Sequence, residues 1–346
     1  MKRLLLMIIC VMSFCGLSAQ SHHKIAFYNV ENFFDTIDDP NTNDDEFTPN
    51  GSNEWTYVKY AKKLTNVERV LFDISKIESE YPAVIGFAEV EVSSVMEDIA
   101  STPKLAPAKY QVVHYDSPER RGVDVAFLYR PDVFQLEGSE AIRSVIPGRP
   151  DFKTRDILTM WGKIDKEPFF FAVVHWSSRV GGQKSSEHLR IANATQLRSV
   201  VDSVSMANPA TKIVLMGDFN DDPQDKSLYE VLGATESRER IKNGDFFNPF
   251  YSMHKAGYGT LGYAGRWNLF DNIVVSKNLV FAEPSTYKID KSPLNSKYYG
   301  TVFKTKYLLQ QSGSYKGYPY RSYSNGAFIG GYSDHLPVFI TISRTK

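Results

Sequence analysis

Two apolar segments of this chain meet acidic residues abruptly, as a buried strand does at the edge of a sheet. The run at 213–216 continues into Gly-Asp-Phe-Asn at 217–220, and Ser-Asp-His-Leu-Pro at 333–337 opens the last apolar run. A carboxylate in such a place costs free energy if it is buried without a partner, and neither motif is needed to build a strand. An ordinary strand-to-loop transition explains either motif alone. Together they predict a catalytic site at a sheet edge.

Other acids, amides and imidazoles have similar positions. Strands are predicted at 24–29, 83–88, 110–115, 123–130, 157–164, 168–174, 213–217, 272–276 and 336–342. The candidate functional residues near their ends are Asn29, Glu31, Glu89, Arg121, Asp124, His175, Asp218, Asn220, Asp271, Asp334 and His335. Loops at strand ends are where protein scaffolds place binding and catalytic groups.

Helical periodicity separates these strands into groups. Apolar residues recur at spacings of three and four over 57–79 and 186–206, which predicts two long helices, and a shorter helix is predicted near 225–232. Strands outnumber helices, so the pattern favours an α/β fold with two stacked sheets flanked by helices in one domain. With 346 residues, 42% of them hydrophobic, the chain can bury a core of that size.

The first 19 residues are predicted to be a cleaved signal peptide. Lys-Arg at 2–3 precedes a short apolar core at 4–12, and Leu-Ser-Ala at 17–19 provides the small residues for cleavage after position 19. Bulky Phe14 before Cys15 argues against a lipoprotein. We therefore expect an exported bacterial protein, periplasmic or secreted, without a transmembrane segment in the mature chain.

The candidate residues favour a hard cation and phosphate-ester chemistry. Both cysteines lie inside the predicted signal peptide, so the mature chain would have no thiolate. Carboxylate and amide oxygens favour Mg²⁺ or Mn²⁺, with Ca²⁺ as a further option, over Zn²⁺. Such a set suits phosphate-ester hydrolysis, in which a carboxylate aligns or deprotonates water and a cationic imidazole opposes the developing charge. Acids and bases balance at 40 each, which counts against a protein that mainly grips long nucleic acid.

Motif order identifies a related family. The motifs are Asn-Val-Glu-Asn at 29–32, Ala-Glu-Val-Glu at 88–91, Arg-Gly-Val-Asp at 121–124, His-Trp-Ser-Ser at 175–178, Gly-Asp-Phe-Asn at 217–220, Phe-Asp-Asn-Ile at 270–273 and Ser-Asp-His-Leu-Pro at 333–337. Their order resembles the endonuclease/exonuclease/phosphatase superfamily, which includes pancreatic deoxyribonuclease, apurinic endonucleases, inositol polyphosphate 5-phosphatases and neutral sphingomyelinases. The resemblance covers residues 24–342. It implies a four-layer α/β sandwich of two stacked, mainly antiparallel sheets flanked by helices.

The resemblance also implies a metal shell. Glu89 would be the principal ligand, with Asn29, Glu31 and Asp334 in or near the shell. Position 31 is glutamate where several relatives have aspartate, so the reach of its carboxylate to the metal differs from theirs. Arg121 is a candidate substrate-binding residue, although an ordinary loop pair with a neighbouring acid explains it equally well.

For the reacting groups, the resemblance implies a division of roles. Asp218 would orient or deprotonate the attacking water, and Asn220 would hold the phosphate. His335 would contact the scissile phosphate, with Asp271 as its carboxylate partner. His175 occupies the position of the second histidine of the deoxyribonuclease-like members, where it would contact the substrate.

The predicted function is an exported, divalent-metal-dependent phosphoesterase that cleaves phosphodiester bonds, most readily as a nuclease-like enzyme. The alternatives are a phosphomonoesterase or a lipid-headgroup phosphodiesterase on the same fold, because function depends on the site and not on the architecture. A further alternative is a binding protein without turnover. The partner would be a phosphate-ester substrate, with nucleic acid as one candidate. No protein partner is indicated, and we expect a monomer.

Residues 24–346 are predicted to form the catalytic domain, with a tyrosine-rich insertion at 284–332. Eight tyrosines lie between positions 287 and 323. One interpretation is an irregular segment packed by aromatic rings. The other is a substrate-facing wall on which bases or sugars stack.

Overall fold

The structure is a computed structural model that describes residues 20–242 and 244–345. The predicted signal peptide lies outside the described residues. Within the described ranges, no helix combines the length and hydropathy needed to cross a membrane.

The strands and helices follow one another along the chain, and the loop at residues 34–56 contains only a short 3₁₀ turn at Asp45–Phe47. The strands are β1 (Gln20–Phe33), β2 (Val84–Val90), β3 (Gln111–His114), β4 (Asp124–Tyr129), β5 (Phe134–Ile142), β6 (Ile157–Ile164), β7 (Glu167–His175), β8 (Lys212–Asp218), β9 (Ala234–Thr235), β10 (Phe246–Phe247), β11 (Leu261–Tyr263), β12 (Arg266–Asn268), β13 (Asp271–Ser276), β14 (Lys288–Ile289), β15 (Gly300–Val302), β16 (Tyr323–Ser324), β17 (Ala327–Phe328) and β18 (Val338–Thr345). The helices are α1 (Tyr57–Lys76), α2 (Ser93–Ser101), α3 (Gln183–Ala207), α4 (Tyr251–Lys255) and α5 (Lys277–Val280).

Most strands belong to two large sheets. The first has the order β14-β18-β1-β2-β4-β3, with β15 also paired to β18, and the second has the order β5-β6-β7-β8-β13-β10-β9. The pairs β1–β2, β7–β8 and β9–β10 are parallel, and the other neighbouring pairs in these sheets are antiparallel. The prediction of mainly antiparallel sheets is therefore confirmed.

The two sheets stack face to face and bury a shared apolar core. Strands β1, β2 and β4 of the first sheet contact β7, β8 and β13 of the second. They approach so closely that a Cβ on Gly86 in β2 would lie 2.5 Å from Met216 Sδ in β8. Helices α1 and α2 cover the outer face of the first sheet, and α3 covers the second through Leu197 and Val201. This arrangement is the predicted four-layer sandwich.

Most predicted elements are present, and the differences have local causes. Strand β5 was not predicted because it is an edge strand that alternates exposed and half-buried residues after Phe134, without an apolar run. Helix α2 was missed because it has only nine residues. The helix predicted near 225–232 is a π-helical turn at Ser227–Val231. The first long helix ends at Lys76 and continues as a 3₁₀ turn.

The tyrosine-rich segment at 284–332 is partly integrated into the first sheet. Strands β14 and β15 both pair with β18. Its rings also pack on one another and on the domain: Tyr307 lies 5.0 Å from the ring of Tyr332, and the fully buried Tyr287 lies 6.0 Å from Phe169. The aromatic-packing interpretation describes these rings. Stacking on a substrate stays a prediction.

Candidate active site

The candidate residues meet where strands from both sheets end on the same side of the sandwich. Asn29 lies in β1 and Glu89 in β2 of the first sheet, whereas His175, Asp218 and Asp271 lie in adjacent strands of the second. Asp218 is the register partner of both His175 and Asp271. Because paired residues lie side by side in a sheet, the register alone brings these three side chains together.

The backbone at these strand ends is strained. Glu31, Asn32, Glu89 and Asn220 have left-handed φ angles of 56°, 47°, 63° and 50°, although none of them is glycine. The pairing of β2 with β4 is also shifted at Glu89, as in a β-bulge. Such conformations cost about 1–3 kcal/mol each and cluster at functional sites, where a bulge redirects a side chain. The bulge at Glu89 therefore redirects a carboxylate at the sheet edge.

Asn29 links the two sheets at the centre of the site. Its Nδ2 donates hydrogen bonds to Glu89 Oε1 at 3.2 Å and to Asp218 Oδ2 at 3.0 Å. The backbone N–H of Asn32 donates to Glu89 Oε2 at 2.8 Å. Burial by itself would raise the pKa of Glu89, but the charges of His335 and Arg121 and the bond from Asn29 lower it below its usual value. Glu89 is therefore ionised at neutral pH.

His335 is held as a cation by buried carboxylates. Its Nδ1 donates to Asp271 Oδ2 at 2.7 Å, and its Nε2 lies 3.7 Å from Asp218 Oδ2. Burial opposes the positive charge of His335, but Asp271 and Asp218 outweigh that effect and raise its pKa well above the usual value. The imidazolium Nε2–H is thus directed toward the side of the site where Asp218 lies.

His175 has the opposite charge state. Its Nε2 lies 3.6 Å from Asp218 Oδ2 and 3.9 Å from Glu89 Oε1, and its Nδ1 is buried without a hydrogen-bond partner. Burial, together with the nearby charges of Arg155 and Arg121, lowers the pKa of His175 well below its usual value. The sequence did not distinguish the charge states of the two histidines. In the structure the lowered pKa makes His175 neutral.

Asp218 is positioned by hydrogen bonds on both carboxylate oxygens. In addition to the bond from Asn29, its Oδ1 accepts the backbone N–H of Asn220 at 2.9 Å. Burial raises the pKa of Asp218 to about 6; His335 opposes this effect and Asp271 adds to it. The side chain of Asn220 donates to Trp176 O at 3.0 Å, which fixes its orientation.

Glu31 and Asp334 are joined by Arg321, which the sequence analysis did not single out. Arg321 donates to Glu31 Oε1 at 3.2 Å and to Asp334 Oδ2 at 2.9 Å. The other oxygen of Glu31 accepts the backbone N–H of Ser322 at 2.6 Å, and Lys63 Nζ lies 4.0 Å away from it. No periodicity or motif distinguishes Arg321 in the sequence, so only the fold identifies it.

Arg121 lies near the site, whereas Asp124 is engaged elsewhere. Arg121 donates to Asn32 Oδ1 at 3.3 Å and contributes to the lowered pKa of Glu89. Asp124 instead accepts the backbone N–H of Ser117 at 3.1 Å. A second basic group that the sequence analysis missed is Arg155, whose charge acts on both Glu89 and Asp218.

Comparison with known proteins assigns the chain to a family. A model of the endonuclease/exonuclease/phosphatase family matches residues 24–344. The chain belongs to this family. It is accordingly a metal-dependent phosphoric ester hydrolase, and the resemblance inferred from motif order is confirmed. A search of curated proteins found no match.

Solved structures of this family share the fold at low sequence identity. An endonuclease/exonuclease/phosphatase family protein from Bacteroides thetaiotaomicron is 16% identical, with a TM-score of 0.55 over 94% of this chain and 98% of that chain. Mannosyl-6-phosphatase from the same organism is 16% identical, with a TM-score of 0.55 over 92% and 99%. TDP2 from D. rerio, complexed with a single-strand DNA product, is 15% identical, with a TM-score of 0.53 over 93% and 99%.

The family's divalent metal fits the donors of this site. Glu89 is anionic, and its Oε1 shares the Asn29 amide donor with Asp218 Oδ2, so two carboxylates converge. The described residues contain no cysteine, so the donors of this site are oxygen and nitrogen atoms. Such oxygen donors suit a hard cation. Asp218, Asp271 and His335 also place donor atoms within 4.8 Å of one another. Their closeness is already explained by the hydrogen bond between His335 and Asp271. The assignments of Asn29, Glu31, Glu89 and Asp334 as ligands stay predictions.

Proposed function

We propose that this protein is a divalent-metal-dependent phosphodiesterase with nuclease-like activity. The observation that supports it is the convergence of His335, Asp218 and Glu89, with an imidazolium Nε2 3.7 Å from a carboxylate oxygen. Asp218 can accept a proton from water, while the His335 imidazolium opposes negative charge on the phosphoryl oxygens. The nonbridging oxygens of the substrate phosphate would lie between Asp218 and His335.

The residues of the site have distinct roles in this proposal. Mg²⁺ or Mn²⁺, held by Glu89 with Asn29 and Asp334 near it, would neutralise phosphoryl charge. Asp218 accepts the proton of the attacking water through the oxygen that faces both histidines. His335 donates a hydrogen bond from Nε2 to a phosphoryl oxygen, and Asp271 keeps the ring charged and in position.

A cleft beside Asn220 supports a substrate with a large group on the ester. It has a volume of about 760 Å³ and is lined by Arg179, Tyr263, Arg266 and Phe270 among others. Tyr263 is 73% exposed, so its ring is free to stack on a base or sugar. Arg179 is paired with Asp221, Asp222 and Asp225, so Arg266 is the arginine of this wall that is available to a phosphate. An aromatic cleft with this arginine favours a nucleotide-containing diester. The DNA product bound to the structurally similar TDP2 is consistent with this choice.

A phosphomonoesterase is the second candidate, and it has its own supporting observation. The guanidinium groups of Arg121 and Arg321 both lie beside the site, and Arg321 has 46% of its side chain exposed. A monoester carries more negative charge than a diester, and exposed guanidinium groups bind phosphate in a bidentate manner. The similar structure of a mannosyl-6-phosphatase agrees with this alternative.

Relative turnover of two nitrophenyl esters separates the candidates. With Mg²⁺ present, we expect kcat/KM for bis-nitrophenyl phosphate to exceed that for nitrophenyl phosphate at least tenfold. The assay is release of nitrophenol by the purified mature protein. A reversed ratio would replace the phosphodiesterase proposal with the phosphomonoesterase. Oligonucleotides, inositol phosphates and sphingomyelin in the same assay identify the natural class, including a lipid headgroup. Absence of turnover on every ester would support a binding protein.

We also propose that the protein is exported and that its first 19 residues are removed. The basic start, short apolar core and small residues before the cleavage point support this proposal. Edman or mass-spectrometric sequencing of the native protein should begin at Gln20 or its cyclised form. A native protein that retains Met1 in the cytosol would contradict export.

A further inference from the structure

A second group of potential metal ligands lies between β3 and β4. His114 ends β3, Asp116 follows it in the connecting loop, and Asp124 begins β4. One donor atom from each of these residues lies within 4.8 Å of the others. His114 Nε2 is 4.0 Å from Asp124 Oδ2, and Asp116 Oδ1 is 3.8 Å from His114 Nδ1. These side chains have no part in the catalytic roles proposed above.

Two of these side chains are buried and carry polar atoms without a partner. The side chains of His114 and Asp124 are each only 3% exposed. Nε2 of His114 and Oδ1 of Asp124 have no hydrogen-bond partner, although the other oxygen of Asp124 accepts the backbone N–H of Ser117. Buried polar atoms are normally paired, so an unpaired nitrogen on His114 and an unpaired oxygen on Asp124 leave two buried donor atoms available to a ligand.

Acidic residues predominate around the cluster. An open cleft of about 580 Å³ adjoins the cluster and contains the acids Asp39, Glu91 and Glu119 in addition to Asp116 and Asp124. The basic residues that line it are Arg120 and Lys153. Acids therefore outnumber bases. Burial raises the pKa of Glu91 to about 8 and that of Asp124 to about 7, so a bound cation would also favour the ionised form of these two carboxylates.

We propose that His114, Asp116 and Asp124 form a second divalent-cation site, distinct from the catalytic metal centre, that binds Zn²⁺ or a similar first-row transition-metal ion. An imidazole nitrogen with carboxylates suits such ions, whereas Mg²⁺ and Ca²⁺ prefer oxygen donors throughout. Donors around Zn²⁺ at bonds of ~2.0–2.2 Å lie roughly 3.3 Å apart, so the cluster must contract slightly. The exposed Asp116 side chain can move from Nδ1 toward Nε2 of His114, whereas His114 and Asp124 must approach each other by roughly 0.7 Å.

The proposed site has a consequence for the catalytic centre. The loop between β3 and β4 carries Arg121, which donates to Asn32 Oδ1 and lowers the pKa of Glu89. A cation bound by both ends of this loop would crosslink them beyond the existing β3–β4 pairing and would fix the loop. Metal at this site would therefore stabilise the position of Arg121 without touching the substrate.

Zn²⁺ binding in a variant with an impaired catalytic shell tests the proposal. Glu89→Gln weakens the catalytic centre, so calorimetry with Zn²⁺ on this untagged, EDTA-treated protein should report the second site. We expect one equivalent of Zn²⁺ to bind. Adding His114→Gln or Asp124→Asn should weaken the affinity at least tenfold, and Co²⁺ should give a visible absorption band that these variants lose.

Two further variants make the test independent of folding. Asp116→Asn changes an exposed side chain, so it should weaken Zn²⁺ binding several-fold while the circular dichroism spectrum is unchanged. His188→Ala, which removes an exposed histidine on α3, should bind Zn²⁺ like its parent. Equal Zn²⁺ affinity in the Asp116, His114 and Asp124 variants, or no binding by the Glu89→Gln parent, would overturn the proposed site.

Discussion

Asp218→Asn is expected to reduce turnover on bis-nitrophenyl phosphate about a hundred- to ten-thousandfold, the range that general acid–base catalysis contributes. The amide keeps the shape of the carboxylate but cannot accept the proton of water. His335→Gln should cost about a hundred- to a thousandfold, because it removes a charged donor that acts on the transition state. The double variant should lose less than the product of the two effects, since groups acting as a unit are not additive.

Glutamine is preferred to alanine at position 335 because of the burial of Asp271. That carboxylate is fully buried and accepts its short hydrogen bond from His335. His335→Ala would leave it unpaired, at a cost of about 1–3 kcal/mol or more in the free energy of unfolding. The glutamine amide can still donate a hydrogen bond. Thermal unfolding followed by circular dichroism shows whether a variant that has lost turnover is still folded.

Asp38→Asn and His188→Gln are the matched controls for these variants. Both residues are exposed, so each control makes a comparable chemical change away from the site. Wild-type turnover is expected in both controls. Wild-type turnover in folded Asp218→Asn and His335→Gln would show that these two side chains do not carry the chemistry, and the proposed roles of Asp218 and His335 would then be wrong.

Glu89→Gln is expected to weaken the affinity for Mg²⁺ or Mn²⁺ and to lower turnover by more than a hundredfold at a fixed metal concentration. The change removes a carboxylate whose pKa lies below its usual value, so it removes an anionic donor without changing the shape of the side chain. A charged ligand contributes strongly to binding a hard cation. Turnover is measured as a function of metal concentration. Recovery at high metal concentration indicates weaker metal binding, and low turnover at saturating metal indicates a defect in the site itself.

Chelation provides the complementary measurement. EDTA should abolish the activity of the wild-type protein, and added Mg²⁺ or Mn²⁺ should restore it. Glu97→Gln on α2 is a matched control, because Glu97 is exposed and contacts only Ser93 in the described hydrogen-bond network. Full activity in EDTA would exclude the proposed metal mechanism. An unchanged metal requirement in Glu89→Gln would show that other residues bind the metal.

The sequence by itself determined the sheets and the groups at their ends. Residues that are buried on both sides of a strand form apolar runs. The runs before His175 and Asp218 stop at the last residue of the strand, and the run before Glu89 stops one residue earlier. These signals are local, so periodicity and motif order were sufficient to predict the sandwich and its candidate residues. Strand β5 escaped prediction because an edge strand needs no continuous apolar side.

Only the tertiary structure decided how those groups are paired and charged. Arg321 is 290 residues from Glu31 in the chain, yet the fold joins them by a hydrogen bond. His175 and His335 are the same residue type at similar strand ends. Burial, with nearby guanidinium groups, lowers the pKa of His175, whereas the carboxylates around His335 outweigh burial and raise its pKa. Charge state depends on burial and on distances between remote segments, which no local pattern records. The same physical reason explains why the cluster at His114 became visible only in the fold.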